Sequence, residues 1–354
     1  MNAPNLPPPP PSPMPGQPAN PGSTSTREAG DAAGEAEQAR ESLAHVREEI
    51  AKVIVGQESV VTGLVTSLLV RGHVLLEGVP GVAKTLLVSA LSSALDLKTN
   101  RVQFTPDLMP SDVTGQTILD SNDPSSDGFR FREGPVFTNL LLADEINRTP
   151  PRTQAALLEA MQERQVSLDG TSHPLPDPFL VVATQNPVDQ EGTYPLPEAQ
   201  LDRFLFKLLV SYPGRDEERV ILSRHNRGAD AANVSTAEVN PVAGPRQLEA
   251  ARAAVRQVQV ADEVIAYVVD IVRATRDAPA TQLGVSPRGA TMLLHAAKAW
   301  TWLSGGAYVT PDEVKAVAKP TLRHRLQLRP ELELDGADAD GVLDMVLASV
   351  TVPR

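Results

Sequence analysis

The stretch HVLLEGVPGVAKTLLVSALSSAL, residues 73–95, decides how the rest of the chain is read. HVLLEG, residues 73–78, is a short apolar run of the kind a buried strand uses. TLLVSALSSAL, residues 85–95, keeps the apolar spacing of a helix. Between them lies GVPGVAKT, residues 78–85. A glycine-rich turn from strand to helix, closed by lysine and threonine, is where backbone N–H groups converge on phosphate. Gly78 and Gly81 let the chain curl, with Val79, Pro80 and Val82 filling the turn. Lys84 can reach outer phosphates, and Thr85 can offer its hydroxyl to magnesium. The strict pattern has glycine before the lysine, and this chain has Ala83. The extra methyl is expected to fit if Ala83 takes helical dihedrals. On this stretch alone, a strand-to-helix turn without a ligand is the competing reading.

A second signal follows downstream. LLLADEIN places Asp144 and Glu145 at the end of a continuous apolar strand. Ligands of open parallel sheets bind at that carboxyl edge. Asp144 can hold magnesium, and Glu145 can orient and polarise an attacking water. FLVVATQN ends another buried strand on Asn186, whose amide can hold the same water or a terminal phosphate. A turn cap is the plainer role for such an asparagine. Arg203, in LPEAQLDRF, reads either as a surface ion-pair partner or as a group neutralising charge on a transferred phosphoryl. Arg288, in SPRG, opens a helix whose dipole disfavours a cation there, so an anionic ligand across a domain cleft would explain it.

Strands and helices alternate up to about residue 213, which argues for an α/β domain with a mostly parallel sheet covered on both faces. RVQF at 101–104 and KLLV at 207–210 supply further strands. Residues 115–135 read as an inserted hairpin, and QVSLDGTSH as a second with an Asp-Gly turn. Leu43, Val46, Ile50 and Val53 recur at helical spacing near the start, and the apolar segment after them reads as a buried helix. Beyond residue 214 the pattern is helical, with cap-then-proline starts at Ser286-Pro287 and Thr310-Pro311 and a capping box from Thr310 to Glu313. The expected division is a disordered proline-rich tail over 1–35, an α/β nucleotide-binding domain over 36–213 and a helical lid domain with a C-terminal extension over 214–354. NLPPPPPSPMPGQPANPGSTST, residues 5–26, has almost nothing apolar to bury, and such a segment stays unfolded.

Composition narrows the function classes. The chain has 354 residues and a net charge of −12, which argues against broad capture of nucleic acid or anionic membrane. It has no cysteine, hence neither disulfides nor thiolate metal sites. Its six histidines show no close ligand spacing and read as structural or solvated. No basic leader and no run of about 18 apolar residues is present. A cytoplasmic protein is the expectation.

GVPGVAKT, LLLADEINRTPPRTQAALLEAMQE, VVATQNP, YPLPEAQLDRF and SPRG, in this order and spacing, resemble the MoxR family of AAA+ ATPases over roughly residues 40–330. Alanine before the loop lysine is common in that family. The resemblance implies a P-loop NTPase fold with a five-stranded parallel sheet in the order 5-1-4-3-2 and a C-terminal helical lid. It implies hydrolysis of magnesium-ATP, with Lys84 and Thr85 in the Walker A role, Asp144 and Glu145 in the Walker B role, and Asn186 as sensor 1. Arg288 corresponds to sensor 2, contacting the nucleotide of its own subunit, and Arg203 to a finger acting on a neighbour's ATP. Gly56 and Gln57, in VIVGQE, resemble the segment beside the adenine. A homo-oligomeric ring follows, usually a hexamer. The two hairpins match family inserts that face a pore or client, making Phe129 and Phe131 candidates for contact or for a small local core. MoxR-like proteins resemble chaperones that remodel protein partners, often ones with a von Willebrand factor A domain. The alternative is a nucleotide-gated regulatory adaptor with slow turnover. A DNA-dependent motor comes third, disfavoured by the acidic balance.

Overall fold

A computed structural model describes residues 24–79, 81–119, 129–186, 193–226 and 236–353. Helices α1 (Thr24–Ala51) and α2 (Glu58–Leu69) precede strand β1 (Val74–Gly78) and helix α3 (Lys84–Ala94). Then come β2 (Thr99–Gln103), α4 (Pro110–Thr114), the hairpin of β3 (Gly115–Leu119) and β4 (Phe129–Glu133), and β5 (Leu140–Asp144). Helix α5 (Pro151–Glu163), the hairpin of β6 (Gln165–Leu168) and β7 (Thr171–Pro174), β8 (Leu180–Gln185), α6 (Glu198–Leu201) and β9 (Phe206–Val210) complete the first part. The remainder is helical: α7 (Arg215–Asn226), α8 (Pro245–Gln257), α9 (Asp262–Asp277), α10 (Pro287–Leu303), α11 (Pro311–Leu322), α12 (Pro330–Leu334) and α13 (Ala339–Ser349). One short antiparallel pair, β10 (Thr281–Leu283) with β11 (Gln327–Leu328), ties its loops together.

Five strands form one parallel sheet in the order β2-β5-β8-β1-β9. Numbered by chain order and read from the other edge, this is the expected 5-1-4-3-2. The period-two alternation of each strand divides the interior into two cores. Val74 and Leu76 of β1, with Leu140 and Leu142 of β5, face a core built with α1, α2, α3 and the C-terminal helices. Leu75, Leu141 and Ala143 face the other, closed by Leu157, Leu158 and Met161 of α5. Strand β5 is buried along its whole length, which is why LLLAD reads as a continuous apolar run up to its acid. Helix α2 is buried from Val60 through Leu69, as its composition requires.

Several local expectations are met. Ser286 caps α10, its hydroxyl accepting the Gly289 N–H at 3.2 Å. The Glu313 carboxylate accepts the Thr310 N–H at 2.8 Å at the start of α11. Asp169 and Gly170 both have positive φ, 50° and 79°, as a two-residue hairpin turn demands. The two hairpins meet each other: Phe131 stacks on His173 with ring centroids 4.0 Å apart, and Thr117 donates to Asp169 at 2.7 Å. Phe131 therefore belongs to a local core, whereas Phe129 is exposed.

One boundary differs from expectation, and two stretches go undescribed. The proline-rich residues 1–23 and the tip of the first hairpin, residues 120–128, lie outside the described residues. Helix α1 starts at Thr24, inside the stretch read as a tail to residue 35. Pro21 is the last proline before it, and the Ala- and Glu-rich sequence that follows favours helix. Helix α8, which the apolar pattern did not single out, packs against α1 and α2. Among the described residues, no helix is long and apolar enough to cross a membrane.

Candidate active site

The carboxyl ends of β5, β8 and β1 lie side by side. Their registers pair Ala143 with Ala183, Leu76 with Thr184 and Glu77 with Gln185, so Gly78, Asp144 and Asn186 emerge at one edge. Gly78 is required by close approach: a Cβ there would lie 2.4 Å from the Val210 carbonyl oxygen of β9. Gly81 has φ of 84°, open to glycine and strained for other residues. Pro80 lies outside the described residues. Ala83 corrects an expectation. Its dihedrals are left-handed, φ 56° and ψ 28°, so the strict pattern places glycine there for backbone freedom rather than for space.

Helix α3 begins at Lys84, and the first N–H groups of a helix have no partner within it. They open beside the loop with the positive end of the helix dipole behind them. The Lys84 ammonium curls back and donates to the Gly78 carbonyl at 2.6 Å. Burial lowers its pKa, while Asp144, Glu145 and Glu77 act to raise it, so the loop and both acids share one electrostatic space. Thr85 follows in the first helical turn, half-buried. Gly56, with φ of 77°, and Gln57, which precedes α2, reach the same edge. Gln57 donates to the Ser211 carbonyl at 3.4 Å, just beyond β9, and Gly56 packs on the Glu217 carboxylate.

The two acids are held differently. Asp144 is buried; it accepts from the Thr184 hydroxyl at 2.5 Å and from the Arg101 guanidinium at 2.7 Å. Glu145 has left-handed dihedrals, φ 58° and ψ 48°, an uncommon state for a non-glycine residue. Its backbone N–H donates to the Thr184 hydroxyl at 2.9 Å. Its carboxylate accepts from the Gln103 amide at 2.7 Å and pairs with Arg148 at 3.2 Å. Thr184 thus fixes the side chain of one acid and the backbone of the next. Asn186 is buried directly after β8. Thr184, Gln103 and Arg101 carry no site signal in the sequence alone. All three lie inside stretches that the strand reading covers, but only cross-strand register shows what they touch. Among the described residues, no three His, Asp or Glu side chains gather as a metal cage.

Arg203 and Arg288 lie elsewhere. Arg203 precedes β9 and donates to the Leu158 carbonyl at 2.9 Å. Leu205 N–H bonds the His73 carbonyl at 2.7 Å, at the amino end of β1. Asp202 accepts from Ser286 at 3.0 Å and from Arg325 at 2.7 Å, which clamps the start of α10 to the segment carrying Arg203. The charge of Arg288 is felt by His73 and Arg325. Both arginines therefore sit at the amino edge of the sheet, about 15 Å from the loop by strand rise. A contact from Arg288 to the nucleotide of its own subunit does not fit this placement, because the Asp202–Ser286 bond anchors α10 to the other edge.

His73 is buried between the two cores. Its Nδ1 accepts the Val181 N–H at 3.0 Å and its Nε2 donates to the Met161 carbonyl at 3.1 Å. Burial first, with the charges of Arg164 and Arg288, pushes its pKa down to about 4 despite the Met161 bond. His324 is held well below its ordinary value by burial and by Arg325. Both are structural.

Comparison with known proteins agrees with this layout. The family description "ATPase family associated with various cellular activities (AAA)" matches residues 73–206, and "AAA lid domain" matches residues 273–344. The chain is 46% identical over 306 residues to the uncharacterized protein YeaC of Bacillus subtilis, covering 86% of this chain and 93% of that one. It is 41% identical over 315 residues to the chaperone MoxR1 of Mycobacterium tuberculosis, covering 86% and 81% respectively. It is 34% identical over 322 residues to the protein MoxR of Paracoccus denitrificans, covering 85% and 93%. The crystal structure of a candidate ATPase from Cytophaga hutchinsonii superposes with a TM-score of 0.83 at 38% identity, covering 92% of this chain and 99% of that one.

Proposed function

The chain belongs to the MoxR family of AAA+ ATPases, and from that premise we propose that it hydrolyses ATP with magnesium, within a homo-oligomeric ring, to remodel a protein partner. The supporting observation is the convergence of Lys84, Asp144, Glu145 and Asn186 on one sheet edge beside the open start of α3. In this reading the loop N–H groups and Lys84 bind the phosphates. Thr85 and Asp144 would hold the magnesium, which would neutralise phosphate charge. A hydroxyl and a carboxylate suit an ion that keeps most of its waters and leans on substrate phosphates rather than on a protein cage. Glu145 orients the attacking water, Asn186 supports it, and Gly56 and Gln57 flank the base.

The ring reading rests on the arginines. Arg203 and Arg288 are too far from their own loop, so each would serve an adjoining copy's nucleotide, and a hexamer is the expected closure. The division into α/β domain and lid near residue 213 belongs to the same reading, as does a cytoplasmic setting. A partner with a von Willebrand factor A domain is the client class the family suggests. The slow-turnover adaptor draws support from one observation: Arg101 and Gln103 already occupy the two acids.

Two substitutions test the reading. Lys84→Ala abolishes ATP binding measured by calorimetry; retained affinity rejects the loop's role. Glu145→Gln keeps ATP binding and lowers turnover by about 10²–10⁴-fold, the usual worth of a positioned base. An unchanged rate of phosphate release removes Glu145 from the reaction. A partner that accelerates turnover separates the remodeller from the adaptor.

A further inference from the structure

A cavity lies at the amino edge of the sheet, away from the loop. It has a volume of about 240 Å3 and opens between the end of α2, helix α8 and helix α10. Leu69, Val70 and Val255 form its apolar wall. Arg252 and Arg256, one turn apart on α8, and His295 and Lys298, one turn apart on α10, supply its polar side together with Arg71.

The charges there do not balance. Among the described residues, Asp177 and Glu249 are the carboxylates that pair with these cations. Asp177 pairs with Arg71 at 2.8 Å and with the buried Arg252 at 2.9 Å. Glu249 takes more distant contacts of 3.7 Å from Arg71, 3.7 Å from Arg252 and 3.5 Å from Arg256. Arg164 joins the group by donating to the Arg71 carbonyl at 2.9 Å; burial and then the charge of Arg71 lower its pKa, with Arg252 adding to the effect and Asp177 opposing it. Lys298 donates to the Arg256 carbonyl at 2.8 Å and, among the described residues, has no carboxylate in ion-pair range. Four guanidinium groups and one ammonium thus share two carboxylates, an excess of three positive charges in a chain whose net charge is −12. Like charges held together in a part-buried space repel, and a multivalent anion would relieve the repulsion. Guanidinium groups suit the planar and tetrahedral oxyanions of carboxylate and phosphate.

Size selects the ligand. The cavity opens to solvent and falls below the ~300 Å3 at which pockets for drug-sized ligands begin. A small ligand fills it better than a nucleotide does. We propose that the cavity binds a small organic polyanion, a phosphomonoester or a di- or tricarboxylate of a few carbons, with its charged head on Arg71, Arg256 and Lys298 and its carbon body on the apolar wall.

Glycerol 3-phosphate and citrate are the probes, titrated calorimetrically into the full chain carrying Lys84→Ala, so that the phosphate loop contributes nothing. Sodium chloride of matched ionic strength is the control. Saturable binding of at least one probe at millimolar concentration is expected, and which one binds identifies the head group. Adding Arg256→Gln or Lys298→Gln weakens it about tenfold each, the loss of one charge-assisted contact. With Lys84 intact, both variants still bind ATP, which separates loss of the cavity from loss of the fold. Absence of saturable binding for both probes, or affinity that survives both substitutions, overturns the proposal.

Discussion

The two edges of the central sheet carry left-handed residues for different reasons. At the carboxyl edge, backbone strain and loosely committed donors accumulate. Ala83 and Glu145 are left-handed, the first N–H groups of α3 are open, and Lys84 settles for a carbonyl of its own loop. At the amino edge, the left-handed Arg71 and Arg164 close helices α2 and α5, and the buried His73 and Arg325 have several partners each. His73 uses both ring nitrogens on backbone groups, and Arg325 pairs with Asp202 while donating to the Leu205 and Thr321 carbonyls. Strain and unmet donors are stable only where surrounding structure over-determines them or a ligand relieves them. The contrast supports the proposal that the carboxyl edge is the reacting one, with Arg203 and Arg288 carried at the other edge.

The largest test of this division concerns those arginines. Arg203→Ala should lower ATP turnover by about 10³-fold, the low end for an arginine that neutralises phosphoryl charge. Because Arg203 sits at the far edge from its own loop, mixing these subunits with Glu145→Gln subunits should restore activity: the second supplies the arginine and the first the acid. Phosphate release from mixed rings, with co-assembly verified by mass, reads the outcome. No recovery at any mixing ratio would return Arg203 to a structural role. The same experiment with Arg288→Ala asks whether both arginines cross the interface.

Acid should strike the amino edge next. His73 has a pKa of about 4 when folded, below its ordinary 6.5, so it is neutral in the fold and protonates first in the unfolded chain. Its contribution is complete above pH ~6.5 and is lost as pH falls towards 4, about 3 kcal/mol in all. His324 shifts in the same direction and adds to the slope. His73→Gln, whose amide can accept from Val181 and donate to Met161, should flatten the urea-measured stability between those pH values. An unchanged slope removes His73 as the cause.

A smaller effect belongs to Thr184. Thr184→Val keeps the shape and removes the hydroxyl that serves Asp144 and the Glu145 N–H. It should lower stability by about 1–3 kcal/mol by leaving a part-buried N–H unpaired. Turnover should fall about tenfold, since Thr184 positions both acids. Thr184→Ser should restore both. A turnover loss that Ser fails to rescue would point to packing instead.

These residues also show what a sequence can disclose. GVPGVAKT, the Asp144–Glu145 pair and Asn186 are legible because each is a contiguous signal at the end of an apolar run, and strand ends of a parallel sheet gather at one edge. The two cores follow from alternation along VLLEG and LLLAD. Thr184 and Gln103 stay hidden because their importance lies in register between strands: Gln103 sits opposite Asp144, and Thr184 opposite Leu76. Arg288 reads as a same-subunit contact because nothing in SPRG tells that Ser286 will bond Asp202 and carry α10 to the far edge.

Ala83 gives the smallest and cleanest test of the contrast. Its side chain is exposed and its φ is 56°, so replacing it with glycine removes a strained Cβ and no packing. Left-handed dihedrals cost an L-residue about 1–2 kcal/mol, partly offset by the greater freedom of glycine in the unfolded chain. Ala83→Gly should therefore stabilise the nucleotide-free protein by about 1 kcal/mol, a rise of roughly 2 °C in thermal melting for a chain of this size. The matching change at the amino edge, Ala299→Gly in the buried and helical middle of α10, should go the other way by at least about 1 kcal/mol, since it loses helix propensity and leaves a void. If Ala83→Gly proves neutral or destabilising, the loop is not strained at that residue, and the difference between the edges rests on Glu145 alone.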